Sequence, residues 1–92
     1  MPTLDPDTVR ARLADLDGWE LDGAAIRREL RFDGFREAID FINRVADLAE
    51  EADHHPELTN VYATVTIVLT THDAGGITDK DLALAAAIDG VV

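Results

Sequence analysis

The sequence contains no cysteine, which excludes a disulfide framework, a thiolate metal site and a cysteine nucleophile. Aromatic residues are only 5%, so aliphatic side chains must fill most of the core. Lysine is nearly absent: Lys80 is the sole example, and eight basic residues face nineteen acidic ones. The net charge of −11 would repel phosphate backbones and anionic lipid, which argues against nucleic-acid and membrane partners. No apolar run approaches the ~20 residues that span a bilayer. The opening Met1-Pro2-Thr3-Leu4-Asp5 lacks the charged and apolar regions of a signal peptide, so a cytoplasmic location is expected. What is present is 92 residues, 47% hydrophobic and 29% charged. Those values predict one globular domain over residues 1–92 with a small core.

Local signals predict the order α-β-β-α-β-α. Asp5 suits a helix N-cap before Pro6, Leu4 can staple onto Val9, and Val9, Leu13 and Leu16 share a face. Trp19-Glu20-Leu21 reads as a strand, Asp22-Gly23 as a hairpin turn, and Ala25–Phe32 as the return strand. Ile26, Leu30 and Phe32 share that strand's apolar face, which Arg28 interrupts. After Asp33-Gly34, the residues Phe35, Ile39, Ile42, Val45, Ala46 and Ala49 recur at helical spacing. Pro56 disfavours helix at His55, so this helix must end by His54. From Asn60 to Thr71 apolar residues and threonines alternate, which fits one long strand or a tight pair. Thr78 and Asp81 have capping-box spacing for a last helix. Its segment from Leu82 to Ile88 looks apolar on every side, so an outer face is expected to meet a second subunit. The whole is α+β: helices packed on one face of an antiparallel sheet.

All histidines lie between positions 54 and 72: His54, His55 and His72. Each falls at a helix end or in a loop, with Asp53 beside His54 and Asp73 beside His72. Imidazole exchanges protons near neutral pH, and a carboxylate neighbour can hold its tautomer. Two other readings fit the same residues. The His-His pair can be a helix C-terminus favoured by the dipole. Alternatively, His55 and His72 can join Glu50 or Asp81 around zinc or iron, although adjacent histidines rarely point at one ion.

The spacing Glu50-x3-His54-His55-Pro56-x5-Tyr62-x9-His72-x8-Asp81 resembles the signature of the pterin-4a-carbinolamine dehydratases. Asp53-His54-His55-Pro56-Glu57, Asn60-Val61-Tyr62 and Thr71-His72-Asp73-Ala74-Gly75-Gly76-Ile77-Thr78 match it too, and the likeness reaches back to Gly18-Trp19. Leu58 departs from the pattern, which usually has an aromatic there. The resemblance implies a four-stranded antiparallel sheet with three helices on one face, assembled into dimers or tetramers. It implies dehydration of 4a-hydroxytetrahydrobiopterin, the pterin released by aromatic amino-acid hydroxylases, without metal or organic cofactor. By the same carry-over His54, His55 and His72 are the catalytic residues. His54 and His72 would donate a proton to the departing hydroxyl, and His55 would contact substrate or take the N5 proton. Glu50, Asp53, Asp81, Trp19 and Pro56 complete the substrate site. Glu50 and Asp53 would orient imidazoles or bind pterin N–H groups. Asp81 could do the same or only cap its helix, Trp19 could lie near the pterin ring or in the core, and Pro56 serves as scaffold.

Two other functions fit the same likeness. Relatives of this fold can lose dehydratase activity and act as assembly chaperones, for example for RuBisCO, although such relatives would be expected to have lost histidines. A dehydratase serving molybdopterin or folate metabolism would present the same residues to the bicyclic ring.

Overall fold

The computed structural model describes residues 2–92. Three helices and four strands follow in the order α1 (Pro6–Leu13), β1 (Glu20–Asp22), β2 (Ala25–Arg31), α2 (Phe35–Ala52), β3 (Glu57–Val61), β4 (Thr64–Leu69) and α3 (Asp79–Asp89). A 3₁₀ turn at His72–Ala74 lies between β4 and α3. The sheet order is β1-β2-β4-β3, and every neighbouring pair is antiparallel.

Alternation in β2 and β4 turns Ile26, Leu30, Val65, Ile67 and Leu69 toward the helices, where all are buried. The opposite face carries Arg27, Glu29 and Arg31 beside Val68, Thr66 and Thr64. Val9 and Leu13 of α1, the α2 stripe and one side of α3 close the core. The end caps are local: the Asp5 carboxylate accepts from the Thr8 backbone N–H at 2.8 Å and opens α1.

Three expectations change in detail. The α2 stripe is rotated from the one expected: Ala38, Phe41, Val45 and Ala49 are buried, while Phe35 is 52% exposed and Ala46 faces outward. The alternating segment is a hairpin, and its first strand begins at Glu57, directly after Pro56. Tyr62 makes the turn in the left-handed region (φ 52), and the Asn60 side-chain amide braces it by donating to the Tyr62 and Thr64 carbonyls, each at 3.1 Å. Val61 therefore lies at the tip and is exposed, not on the buried face. Finally, α3 is sided. Leu82, Leu84, Ala85 and Ile88 point inward, and the outward residues Ala83, Ala86 and Ala87 are all alanine. Its outer surface thus offers methyl groups rather than leucines to any partner.

Arg28, the interruption on the apolar face, has a half-buried partner. It forms an ion pair with Asp89 in the last turn of α3, and Trp19 Nε1 donates to the same Asp89 oxygen at 2.8 Å. The charge on the inner face of β2 is compensated across 61 residues of sequence.

Candidate active site

Two chain terminations and one pinched loop bring the histidines together. Helix α2 ends when Asp53 enters the left-handed region (φ 50). The Asp53 N–H then bonds the Glu50 carbonyl at 3.2 Å and the His54 N–H reaches back to Ala49 at 3.1 Å. This is a Schellman termination with aspartate, which tolerates that conformation, in place of glycine. It throws His54 and His55 off the helix end, and Pro56 leads directly into β3. On the other side, β4 runs out at Leu69 and the chain folds back on itself. Thr71 N–H donates to the Gly76 carbonyl at 2.9 Å and Gly76 N–H to the Thr71 carbonyl at 3.3 Å, which pinches off the loop that carries His72.

A hollow of about 300 Å³ opens between these segments, lined by His54, His55, His72, Asp53, Asp73, Thr70, Thr71 and Lys80. At its base lies Asp81, which is fully buried. Its Oδ1 is 2.5 Å from His54 Nε2. Its Oδ2 accepts from the Thr78 backbone N–H at 2.9 Å and from the Thr71 hydroxyl at 2.8 Å. Thr71 in turn accepts from Thr78 Oγ1 at 2.9 Å, because its own proton is committed to the carboxylate. The capping box of α3 is complete, with Thr78 Oγ1 also accepting from the Lys80 N–H. Helix capping and histidine orientation are thus one hydrogen-bonded unit.

That unit assigns a tautomer. A carboxylate only accepts, so neutral His54 donates from Nε2 and keeps its lone pair on Nδ1. An imidazole held this way can take a proton at Nδ1 and return it without letting go of Asp81. His54 sits just past the helix end, as expected, yet its side chain is only 10% exposed. His55 is open to solvent, with Nε2 3.3 Å from Glu50 Oε1. His72 is exposed on the pinched loop, and its ring has no hydrogen-bond partner among the described residues.

Of the other residues expected at the site, Asp53 lines the hollow, Asp81 underlies it and Glu50 reaches it through His55. Pro56 is half-buried behind the pair and does not line it. Trp19 lies elsewhere. It is 6% exposed and bonded to Asp89, nine residues beyond Lys80 on α3 and so about 13 Å along the axis. Lys80, Thr70, Thr71 and Asp73 line the hollow without having been singled out from sequence. Lys80 carried a usable signal, as the only lysine of an acidic chain, next to Asp81. Among the described residues no group of three or more His, Asp or Glu side chains is arranged to hold a metal ion, and no helix is long and apolar enough to cross a membrane.

Residues 2–91 match the profile of the pterin 4 alpha carbinolamine dehydratase family. The chain belongs to this family. Relatives provisionally assigned as pterin-4-alpha-carbinolamine dehydratases include one from Mycobacteroides abscessus, 51% identical over 97% of this chain and 95% of the relative. Another, from Thermomicrobium roseum, is 53% identical over 92% of this chain and 91% of its own. A crystal structure of a transcriptional coactivator/pterin dehydratase from Brucella melitensis superposes with a TM-score of 0.91 at 36% identity, covering 97% of both chains. The pterin dehydratase-like RuBisCO assembly factor of the alpha-carboxysome superposes at 0.65 with 22% identity, over 79% of this chain and 84% of its own, a likeness of fold.

Proposed function

We propose that this family member dehydrates a 4a-hydroxytetrahydropterin to the quinonoid dihydropterin and water, as in the recycling of 4a-hydroxytetrahydrobiopterin after aromatic amino-acid hydroxylation. The observation that carries the proposal is the convergence of His54, His55 and His72 on one hollow, with His54 bonded to a buried carboxylate. In the reaction the C4a–O bond breaks and the hydroxyl leaves as water after taking a proton. The N5–H bond breaks, and its electron pair becomes the C4a=N5 double bond. No electrons leave the pterin, so imidazoles acting as acid and base suffice. His54 and His72 serve at the hydroxyl and His55 at N5 or in substrate contact. Glu50 steadies His55, and Asp53 lies where a pterin N–H can meet a carboxylate.

The proposal includes a cytoplasmic protein that assembles as a dimer or tetramer. The exposure of Phe35, Val61 and Tyr62 supports assembly. Light scattering should give a mass above the 10.0 kDa chain, and a stable monomer at micromolar concentration removes this part of the proposal.

The deciding experiment is stopped-flow absorbance of a 4a-hydroxytetrahydropterin with and without the protein. Decay faster than the spontaneous rate is expected. An unchanged decay would leave the chain as a binding module with an inherited pocket.

A further inference from the structure

A second hollow, about 410 Å³, runs between α2 and α3 and meets the first at His54 and Lys80, which line both. Its walls differ in kind. Leu48 and Ala52 of α2 face Ala83, Leu84 and Ala87 of α3, with Glu51 as the one carboxylate. The histidine hollow, by contrast, is lined by imidazoles, threonines and two aspartates. The outward alanines of α3 leave this groove open, since larger side chains at Ala83 and Ala87 would fill it.

The chemistry of the substrate connects the two spaces. Groups acting at C4a and N5 must lie along one edge of the pterin. C6 is bonded directly to N5, so its substituent leaves the ring beside those groups. Lying on the border of both hollows, His54 would send such a substituent toward the groove. A short hydroxylated tail needs neither this volume nor these apolar walls. Resting on the dehydratase function above, we infer that the α2–α3 groove is a subsite for an apolar, aryl-bearing substituent at C6, with Lys80 at its mouth. The walls of Leu48, Ala52, Ala83 and Ala87 take the ring by contact and by exclusion of water. Specificity for the tail therefore resides in residues that touch no reacting atom.

The test compares two stable pterins, 6-methylpterin and 6-(anilinomethyl)pterin, by isothermal titration. Wild-type protein should bind the aryl compound at least about tenfold more tightly, the scale that apolar pockets achieve. Ala83→Glu, at an exposed helix position, should abolish that difference and leave 6-methylpterin binding unchanged. The same pair as 4a-hydroxytetrahydropterins should show the preference in KM with similar kcat. Equal binding of the two pterins to wild type overturns the inference. So does an Ala83→Glu protein that keeps the difference but loses oligomeric mass in light scattering, since the groove would then be covered by a second copy. Discrimination in binding with no dehydration of either compound upholds the subsite and removes the dehydratase function instead. Dehydration of both with equal KM does the reverse.

Discussion

His54 and Asp81 are separated by 27 residues of sequence and by 2.5 Å between Nε2 and Oδ1. One carboxylate thereby joins the start of α3 to the end of α2. The same Asp81 completes the α3 cap through Thr78, so its replacement should affect both folding and turnover. Asp81→Asn keeps an oxygen for the Thr78 N–H but presents an amide donor to His54. The ring must then accept at Nε2, and its proton moves to Nδ1. Turnover should fall about 10²-fold or more, with a stability loss of about 1 kcal/mol. Nitrogen-15 shifts of the imidazole, read beside stopped-flow rates, check both halves. An unchanged tautomer with unchanged turnover would show that Asp81 is only a cap.

Truncating the histidines should separate chemistry from stability. His72→Ala should lower kcat about 10²-fold with no loss of folding, because the ring is exposed. His54→Ala should lower kcat similarly but also cost about 1–3 kcal/mol, because it leaves the buried Asp81 oxygen without its donor. His55→Ala should raise KM. Combined losses should be less than multiplicative, since acid and base act on one transition state. Normal rates in three folded variants would remove these histidines from the catalytic set.

Asp89 should be a structural residue with no effect on the chemistry. Asp89→Ala leaves Arg28, 13% exposed, without its counter-ion and Trp19 without its acceptor. A loss of about 3 kcal/mol in urea unfolding is expected. Removing both charges, Arg28→Met with Asp89→Leu, should recover most of it. Pterin turnover should not change in either protein. If the double variant is no more stable than Asp89→Ala, the pair is not the source of the cost.

Acid should loosen α1 from its first turn. The backbone N–H of Thr8 bonding to Asp5 holds its carboxyl below the usual carboxylate value. A carboxyl depressed by folding contributes stability above its unfolded pKa of 3.8, and that contribution is lost as pH falls through the lower folded value. Amide exchange at Thr8, corrected for the intrinsic rate, should therefore rise at acid pH in wild type. In Asp5→Ala it should be raised at every pH. A pH-independent protection factor in wild type would deny the carboxylate its capping role.

Features determined within a few residues were legible in the sequence, and those determined by distant contacts were not. Thr78 with Asp81, Asp5 before Pro6 and His55 before Pro56 fix local backbone, and each acts as its spacing predicts. The sequence misphases the α2 stripe because Ala38, its first buried residue, is weakly hydrophobic, whereas Phe35 and Ile39 signal strongly from the neighbouring side. The hairpin tip was hidden because Tyr62 takes a conformation usual for Gly or Asn, with no turn dipeptide to mark it. Arg28 was visible as an anomaly, but its partner Asp89 lies 61 residues away. For the site, the histidine cluster was legible as a set, whereas the walls supplied by Lys80 and Thr71 depend on where α3 docks.

The pinch between Thr71 and Gly76 has a thermodynamic consequence. The His72 segment is tied at both ends, and Gly75 closes it in the left-handed region (φ 80) with an N–H bonded to the His72 carbonyl at 3.1 Å. Little backbone freedom is then left for a ligand to freeze, so association loses little entropy there. Amide order parameters at His72 and Asp73 should already be near the ~0.85 of rigid backbone in the free protein, and should barely rise when a pterin is added.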